Sequence, residues 1–405
     1  MVKLSACLIV KNEADTLPRC LESIHTLVDE IIIVDTGSTD KTVEIAQRYE
    51  AKIYYFQWNN DFSAARNESL RNANGDWILY IDADEIVDIT NALKIRTLIN
   101  RDDIMALTVR QCIPQQFNNI ATSFYSEYCR IFRRHPEIRF EGSIHEQILP
   151  SIKRLGGKIL KTDIIIHHWA YALSKEKKKL RAERNLNYLL KEIEKKPDDS
   201  FILFNLGMTC QELGANDLAI QAYLSMLEKP TDIKNEIIGQ SHVNLSKIYL
   251  EMNDTAKAIY HALQASVLDT ANPLPPYILA TIAVAEKKFR KATEYLEAAI
   301  QISKGETGLS PCIELNLAQI YLELGSCRYS LHDYFGAEND FLRAIVYDMS
   351  AATPYLLIGN SRFMRGDKTG AKEMFERALT INPQLKEAQM GLSLCNNATS
   401  ILVNE

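Results

Sequence analysis

Five apolar residues, Trp77-Ile78-Leu79-Tyr80-Ile81, run straight into Asp82-Ala83-Asp84-Glu85. An aromatic-rich run of strand length with no polar residue inside it fits a strand covered on both faces, as in an α/β sheet. The abrupt change to carboxylates then puts acid at the carboxyl edge of that sheet, where open α/β sheets bind their ligands. One Asp after a strand often only caps the next helix. Two carboxylates one residue apart repel each other unless a cation lies between or beside them. Mg²⁺ and Mn²⁺ suit such a pair, because they take one or two protein carboxylates and complete their shell with water and phosphate oxygens. The pattern reads either as a metal-bridged diphosphate site or as a solvated acidic turn.

Upstream, strand-like runs at 4–10, 31–35 and 52–56 alternate with helix-like runs at 14–26, 41–49 and 63–72. This alternation predicts βαβ units and a mostly parallel sheet, which delivers two more polar clusters to the edge that holds Asp82. Lys11-Asn12-Glu13 follows the first strand, and Asp35-Thr36-Gly37-Ser38-Thr39-Asp40 follows the second. Gly37 permits a tight turn and Asp40 reads as a helix cap. Asp35 belongs to the strand end, where a carboxylate can accept from the imide N–H of a uracil or from a ribose hydroxyl. Arg66 stands on a small, apolar helix face. It is either an exposed arginine whose stem lies along the core or a fork that neutralises a phosphate or fixes a base.

Leu8-Ile9-Val10-Lys11-Asn12-Glu13, Val34-Asp35-Thr36-Gly37-Ser38-Thr39-Asp40, Asp61-Phe62-Ser63-Ala64-Ala65-Arg66-Asn67 and Trp77-Ile78-Leu79-Tyr80-Ile81-Asp82-Ala83-Asp84, in this order and spacing, resemble the family 2 glycosyltransferases of the GT-A fold. The resemblance implies an inverting enzyme that moves a hexose from a nucleotide sugar, most simply a UDP-linked one. It implies Lys11, Asn12, Glu13, Asp35, Arg66 and Asp82 around the nucleotide sugar, and Asp82 and Asp84 gripping the diphosphate through Mg²⁺ or Mn²⁺.

Further on, Glu141-Gly142-Ser143-Ile144-His145-Glu146 sets an imidazole beside a carboxylate on a short, Gly-hinged segment. Such a pair can supply a metal ligand and a base, or be a surface His beside a salt-bridging Glu. A similar His-Glu pair occurs in members of the family with an appended helical repeat domain, including enzymes that glycosylate bacteriocin peptides of the sublancin type. That likeness implies His145 as the third metal ligand and Glu146 as the base that deprotonates the acceptor, with Glu141 as the alternative base. Residues 164–169 read as an edge strand closing the domain. His167 and His168 within it are expected to be packing residues, with the acceptor cleft as their other reading. Cys112 and Cys129 are expected to pack within strands.

Residues 173–197 begin with Lys175-Glu176-Lys177-Lys178-Lys179-Leu180-Arg181-Ala182-Glu183-Arg184 and continue with Leu186, Leu189, Leu190 and Ile193 at helical spacing. They predict an amphipathic connecting helix whose basic face is solvated, or steers a phosphorylated donor or an acidic acceptor. Beyond it, equivalent alanines at 219, 258, 292, 337 and 371 are separated by 39, 34, 45 and 34 residues. A 34-residue period, with small residues where two helices cross, is the tetratricopeptide pattern. The expected architecture is α/β plus all-α: a Rossmann-like GT-A domain over 1–172, the linker helix, about five repeats over 198–395, and a tail over 396–405. A repeat groove binds extended peptides or partner proteins, so the acceptor is expected to be a peptide or protein Ser, Thr or Cys side chain. The repeats can equally make a homo-oligomer or dock the enzyme in an envelope-polysaccharide assembly. Two rival readings are a repeat scaffold with a silent nucleotide-sugar domain and a nucleotidyltransferase.

With 46 basic and 52 acidic residues the net charge is −6, which argues against a general nucleic-acid or membrane-coating surface. The eight cysteines form no Cys-x-x-Cys pair and read as core residues of a reducing compartment. The apolar run at the amino terminus is short for a signal peptide, and no run reaches the ~18 residues of a membrane span. A soluble, cytoplasmic protein is expected.

Overall fold

The computed structural model describes residues 2–117, 120–142, 146–168, 175–228, 233–305 and 313–397. The chain divides into two compact units, Met1–Gln115 with Ser123–Lys195 and Gln116–Thr122 with Lys196–Glu405.

In the first unit, β1 (Leu4–Val10), β2 (Glu30–Asp35), β3 (Lys52–Tyr55) and β4 (Trp77–Tyr80) are linked by α1 (Leu17–Ile24), α2 (Thr42–Arg48) and α3 (Phe62–Asn72). These strands are parallel in the spatial order β3-β2-β1-β4. Val10 lies opposite Asp35 and Cys7 opposite Tyr80, so the loops after β1, β2 and β4 leave from one edge. The strand order reverses at β1, which opens a crevice at the carboxyl ends of β1 and β4.

The sheet as a whole is mixed, with antiparallel pairs beyond the parallel set β3-β2-β1-β4. Past β4 come β7 (Ile120–Arg133), β6 (Ala106–Phe117), β8 (Ile159–His168) and β5 (Glu85–Val87). β7 is antiparallel to β4, β6 is parallel to β8, and β5 is antiparallel to β8. The reason is local: β6 and β7 follow each other too closely for the crossover of a dozen or more residues that parallel neighbours need. β1 explains why its sequence is a continuous apolar run. Leu4, Ala6, Leu8 and Val10 pack with Leu17, Cys20, Leu21 and Ile24 of α1, while Cys7 faces Ile32, Ile78, Tyr80 and Phe132. α4 (Ala92–Leu98) and α5 (Leu149–Arg154) cover further sheet surface, and α6 (Lys175–Lys195) completes the unit. The basic helix falls within the first unit.

The second unit consists of the helix pairs α7 (Ser200–Glu212) with α8 (Asn216–Glu228), α9 (Asn235–Glu251) with α10 (Thr255–Leu268), α11 (Leu274–Ala285) with α12 (Phe289–Ser303), α13 (Leu317–Ser330) with α14 (Tyr334–Tyr347), and α15 (Thr353–Met364) with α16 (Lys368–Ile381), followed by α17 (Lys386–Asn397). Ala219, Ala258, Ala292, Ala337 and Ala371 each sit fully buried on the second helix of a pair. Asp254, Asp333 and Asp367 cap α10, α14 and α16 with their side chains, four residues before those alanines. Where pairs close most tightly, a Cβ on Gly207, Gly325 or Gly359 would lie 2.6, 2.5 or 2.5 Å from the ring of Tyr223, Phe341 or Phe375. The wider repeat spacings come from α9, which has 17 residues against 13 in α7, and from the long 304–316 connection.

Among the described residues every cysteine is buried, and no helix is long and apolar enough to cross a membrane. Cys312 and residues 398–405 of the expected tail lie outside the described residues.

Candidate functional site

The loops after β1 and β2 are laced together by their polar side chains. The Asp35 carboxylate accepts from Gly37 N at 3.1 Å and from Ser38 N at 3.1 and 3.2 Å, which folds the turn back on the strand end. Gly37 has φ +103°, a left-handed conformation that side chains resist. Asn12, itself at φ 57°, accepts from Thr39 N at 2.8 Å, and its own N–H donates to Ser38 Oγ at 3.0 Å. Glu13 N donates to Thr42 Oγ1 at 2.8 Å, and its carboxylate accepts from the Thr16 hydroxyl at 2.7 Å. Asp40 accepts from Thr42 N at 2.9 Å, at the start of α2. Lys11 is exposed at this rim.

α3, capped by Asp61 through Ala64 N, turns Arg66 inward. The buried guanidinium donates from Nη2 to Asp82 Oδ1 at 2.7 Å and from Nε to Glu146. Its flat faces lie 5.2 Å from the Tyr80 ring centre and 5.5 Å from that of Phe140. The neighbouring Asn67 exchanges two hydrogen bonds with the Phe140 backbone, at 2.8 and 3.0 Å, which pins the chain before Glu141 to α3. Glu141 and Gln147 then pair through their backbones at 3.0 and 2.9 Å, next to Glu146 in the chain. The two candidate bases end in different places. Glu146 meets Arg66, whereas Glu141 turns outward to Arg154 at 3.1 Å. His145 lies outside the described residues.

The acid motif itself separates into three environments. Asp82 sits between Arg66 and Arg130, the latter at 3.5 Å. Burial would raise its carboxyl pKa, but the two guanidiniums outweigh that and hold it well below the usual carboxylate range. Glu85 is completely buried, where it accepts from Asp82 N at 2.8 Å, from Arg130 Nη2 at 2.6 Å and from Gln111. Burial pushes its pKa up against the pull of Arg130. Asp84, buried as well, faces His168 Nε2 at 3.3 Å and Arg181 Nη1 at 3.0 Å, both on Oδ2. Burial opposes ionisation of Asp84, yet His168 and Arg181 bring its pKa down, while Asp84 raises that of His168 against the effect of burial.

His168, expected to be a packing residue, is therefore a member of the site. The β5–β8 ladder puts Glu85 directly opposite His168, one residue from Asp84. Arg130, Glu85 and Arg181 also belong to the cluster; Glu85 and Arg181 lie in the acidic and basic runs of the sequence, whereas Arg130 has no signal in its local sequence. Among the described residues no three His, Cys, Asp or Glu side chains gather in a way that could hold an ion. The convergent Asp84 carboxylate and His168 imidazole still fit a divalent cation that takes the rest of its shell from phosphate oxygens and water.

Residues 5–154 match the family described as glycosyl transferase family 2, and residues 352–385 match the tetratricopeptide repeat. The matched span holds Asp35, Arg66, Asp82, Asp84 and Glu146 and stops before His168 and Arg181. The chain is 29% identical over 309 residues to a TPR repeat-containing protein of Synechococcus elongatus, covering 65% of this chain and 75% of that one. It is 29% identical over 216 residues to the SPbeta prophage-derived glycosyltransferase SunS of Bacillus subtilis, covering 53% of this chain and 50% of the relative. An uncharacterized glycosyltransferase of Rickettsia felis is 42% identical over 85 residues, covering 21% of this chain and 30% of its own length. The chain thus spans about half the length of the second relative and less than a third of the third.

Proposed function

We propose that the chain, whose residues 5–154 match glycosyl transferase family 2, is an inverting, metal-dependent transferase of a hexose from a nucleotide sugar, most simply a UDP-linked one, to a peptide or protein acceptor. The observation that carries this reading is the Arg66 guanidinium, which joins Asp82 of the acid motif to Glu146. A carboxylate able to take a proton from the acceptor thereby stands beside the edge where a diphosphate would lie.

In the reaction, the acceptor oxygen or sulfur attacks the anomeric carbon from the face opposite the diphosphate. The bond from that carbon to the phosphate oxygen breaks, its electron pair leaves on the diphosphate, and the acceptor proton passes to Glu146. Asp84 and His168 would hold a divalent ion, which would supply charge neutralisation to the leaving diphosphate when bound. Lys11, Asn12, Glu13 and Asp35 border the nucleotide. Arg66 orients Glu146 and Asp82 together. The repeats hold the acceptor, raising its effective concentration at the anomeric carbon.

Incubation of the purified protein with UDP-hexoses and Mn²⁺ should release UDP, and Asp84→Asn should abolish the release. No nucleoside diphosphate from any UDP-, GDP- or TDP-sugar with either ion refutes the reading in favour of a scaffold. Release of pyrophosphate instead identifies a nucleotidyltransferase. With a radiolabelled donor and cell extract, the label should enter protein or peptide; label confined to polysaccharide refutes the acceptor assignment.

A further inference from the structure

α6 brings a cation to the same Asp84 oxygen that a divalent ion would use. Arg181 Nη1 lies 3.0 Å from Asp84 Oδ2, the atom that His168 Nε2 approaches at 3.3 Å. The Asp84 side chain is 8% exposed, but that of Arg181 is 44% exposed, so a fixed carboxylate is met by an arm reaching in from the rim. One turn further along α6, the Arg184 guanidinium lies over the Phe62 ring at 5.3 Å. Its one hydrogen bond among the described residues is to Asn185 Oδ1 at 3.3 Å, and no carboxylate there pairs with it. Burial and the neighbouring Arg181 charge draw the Arg184 pKa below its ordinary value. Another turn on, Tyr188 OH accepts from Trp58 Nε1 at 3.3 Å and donates to Asn60 Oδ1 at 2.9 Å. Residues 181, 184 and 188 share one helical face. Tyr188 therefore anchors the helix to the 58–62 segment, and that anchor holds two guanidiniums at the sheet's carboxyl edge.

A guanidinium and a divalent cation on one carboxylate oxygen repel strongly in a partly buried site. An ion entering between Asp84 and His168 therefore favours release of Arg181 from Asp84 Oδ2. The released Arg181, and Arg184, which pairs with no carboxylate among the described residues, would then be available to the diphosphate that completes the ion's shell. A guanidinium fork matches phosphate oxygens well.

We propose that Arg181 is an exchangeable counter-ion: it holds Asp84 in the donor-free enzyme and, together with Arg184, transfers to the donor diphosphate when the divalent ion takes Asp84. This rests on the reading of Asp84 and His168 as the ion-binding pair. It makes ion and nucleoside diphosphate bind cooperatively, since each removes an obstacle to the other.

Isothermal titration calorimetry on the full chain tests it, with Mn²⁺ alone and with UDP in saturating Mn²⁺ as probes. Arg181→Met should bind Mn²⁺ alone about 5-fold or more tighter than wild type, the lower end of a typical coupling, and bind UDP about 10-fold more weakly. Arg184→Met should leave the Mn²⁺ affinity as it is and weaken UDP only. Unchanged or weaker Mn²⁺ binding in Arg181→Met, with normal UDP binding, overturns the exchange and leaves the ion site standing. A wild-type protein that binds neither Mn²⁺ nor UDP overturns the ion site, and the exchange with it.

Discussion

Arg66 donates to Asp82 at 2.7 Å and on its other side to Glu146, so a single guanidinium fixes the distance between the acid motif and the candidate base. All three groups are withdrawn from water, with side-chain exposures of 9%, 29% and 11%. Arg66→Met takes the cation from Glu146 and leaves Asp82 with Arg130 alone at 3.5 Å, a change that costs about 3 kcal/mol in partly buried pairs. Urea denaturation at neutral pH should show this loss, together with loss of turnover. Arg66→Lys keeps the charge but not the two-pronged geometry, so it should recover more of the stability than of the activity. The sign of the pH dependence follows from Asp82, whose pKa in the folded chain is depressed. Its contribution is complete above the unfolded-state value and fades as pH falls, so the gap between wild type and Arg66→Met should narrow below about pH 4.

Glu146 and Glu141 are separable by mutation because the fold points them at different partners. Glu146→Gln should lower kcat by about 100-fold, the usual size for a general base, with UDP affinity nearly intact. Glu141 pairs with Arg154, whose side chain is 54% exposed, and Glu141→Gln should change kcat by less than about 2-fold, since exposed ion pairs contribute little. Steady-state kinetics of UDP release decides between them. The reverse ranking would move the base to Glu141.

The elements that a local pattern encodes were readable in the chain. The apolar runs of β1, β2 and β4 end where the sequence turns polar, and the recurring alanines mark the crossings of the second unit. What was not readable depends on register. Ile164-Ile165-Ile166-His167-His168 reads as a packing strand, and only the β5–β8 ladder brings His168 to Asp84. Glu85 looks like a third member of the acid cluster. It is instead an internal partner of Arg130, because β5 begins at this residue and turns it inward. The basic start of α6 has the composition of a solvated face. Which of its arginines reaches Asp84 is set by Tyr188 packing against Trp58 and Asn60, a contact between segments far apart in sequence.

In the second unit, His242 and His261 face each other with Nδ1 atoms 2.8 Å apart, an arrangement that needs one ring to donate and the other to accept. Both rings are buried, and Tyr249 stacks on His261 at 5.5 Å. Burial lowers both pKa values; for His261 the His242 ring and Lys257 add to it and bring the value down to about 4. An unfolded histidine titrates near 6.5, so the unfolded chain binds more protons than the folded one below that pH. The contribution of the pair is therefore complete above about pH 6.5 and is lost as pH falls towards the folded value. Thermal midpoints of the full chain measured from pH 5 to 8 should fall towards acid, and more steeply in wild type than in His261→Asn. Equal slopes would sink this account.

Helix propensity and packing make opposite forecasts at Gly359. In the interior of α15, replacing Gly by Ala should stabilise the helix by about 1 kcal/mol. A Cβ there would, however, stand 2.5 Å from Cε1 and 2.7 Å from Cδ1 of Phe375. That ring is 1% exposed and packed among Ala371, Ala378 and Leu356, so it has nowhere to swing. Overpacking of this kind costs roughly 1–3 kcal/mol, which exceeds the propensity gain over most of its range. Gly359→Ala should therefore lower stability, by about 1 kcal/mol on balance. The clash is with one ring, so it should disappear where the ring is absent. In a Phe375→Leu background the same Gly359→Ala change should be neutral or stabilising, giving a double-mutant coupling of about 1 kcal/mol. Equal effects in the two backgrounds would mean that the helices relax apart and that the close approach is not what keeps glycine at this crossing.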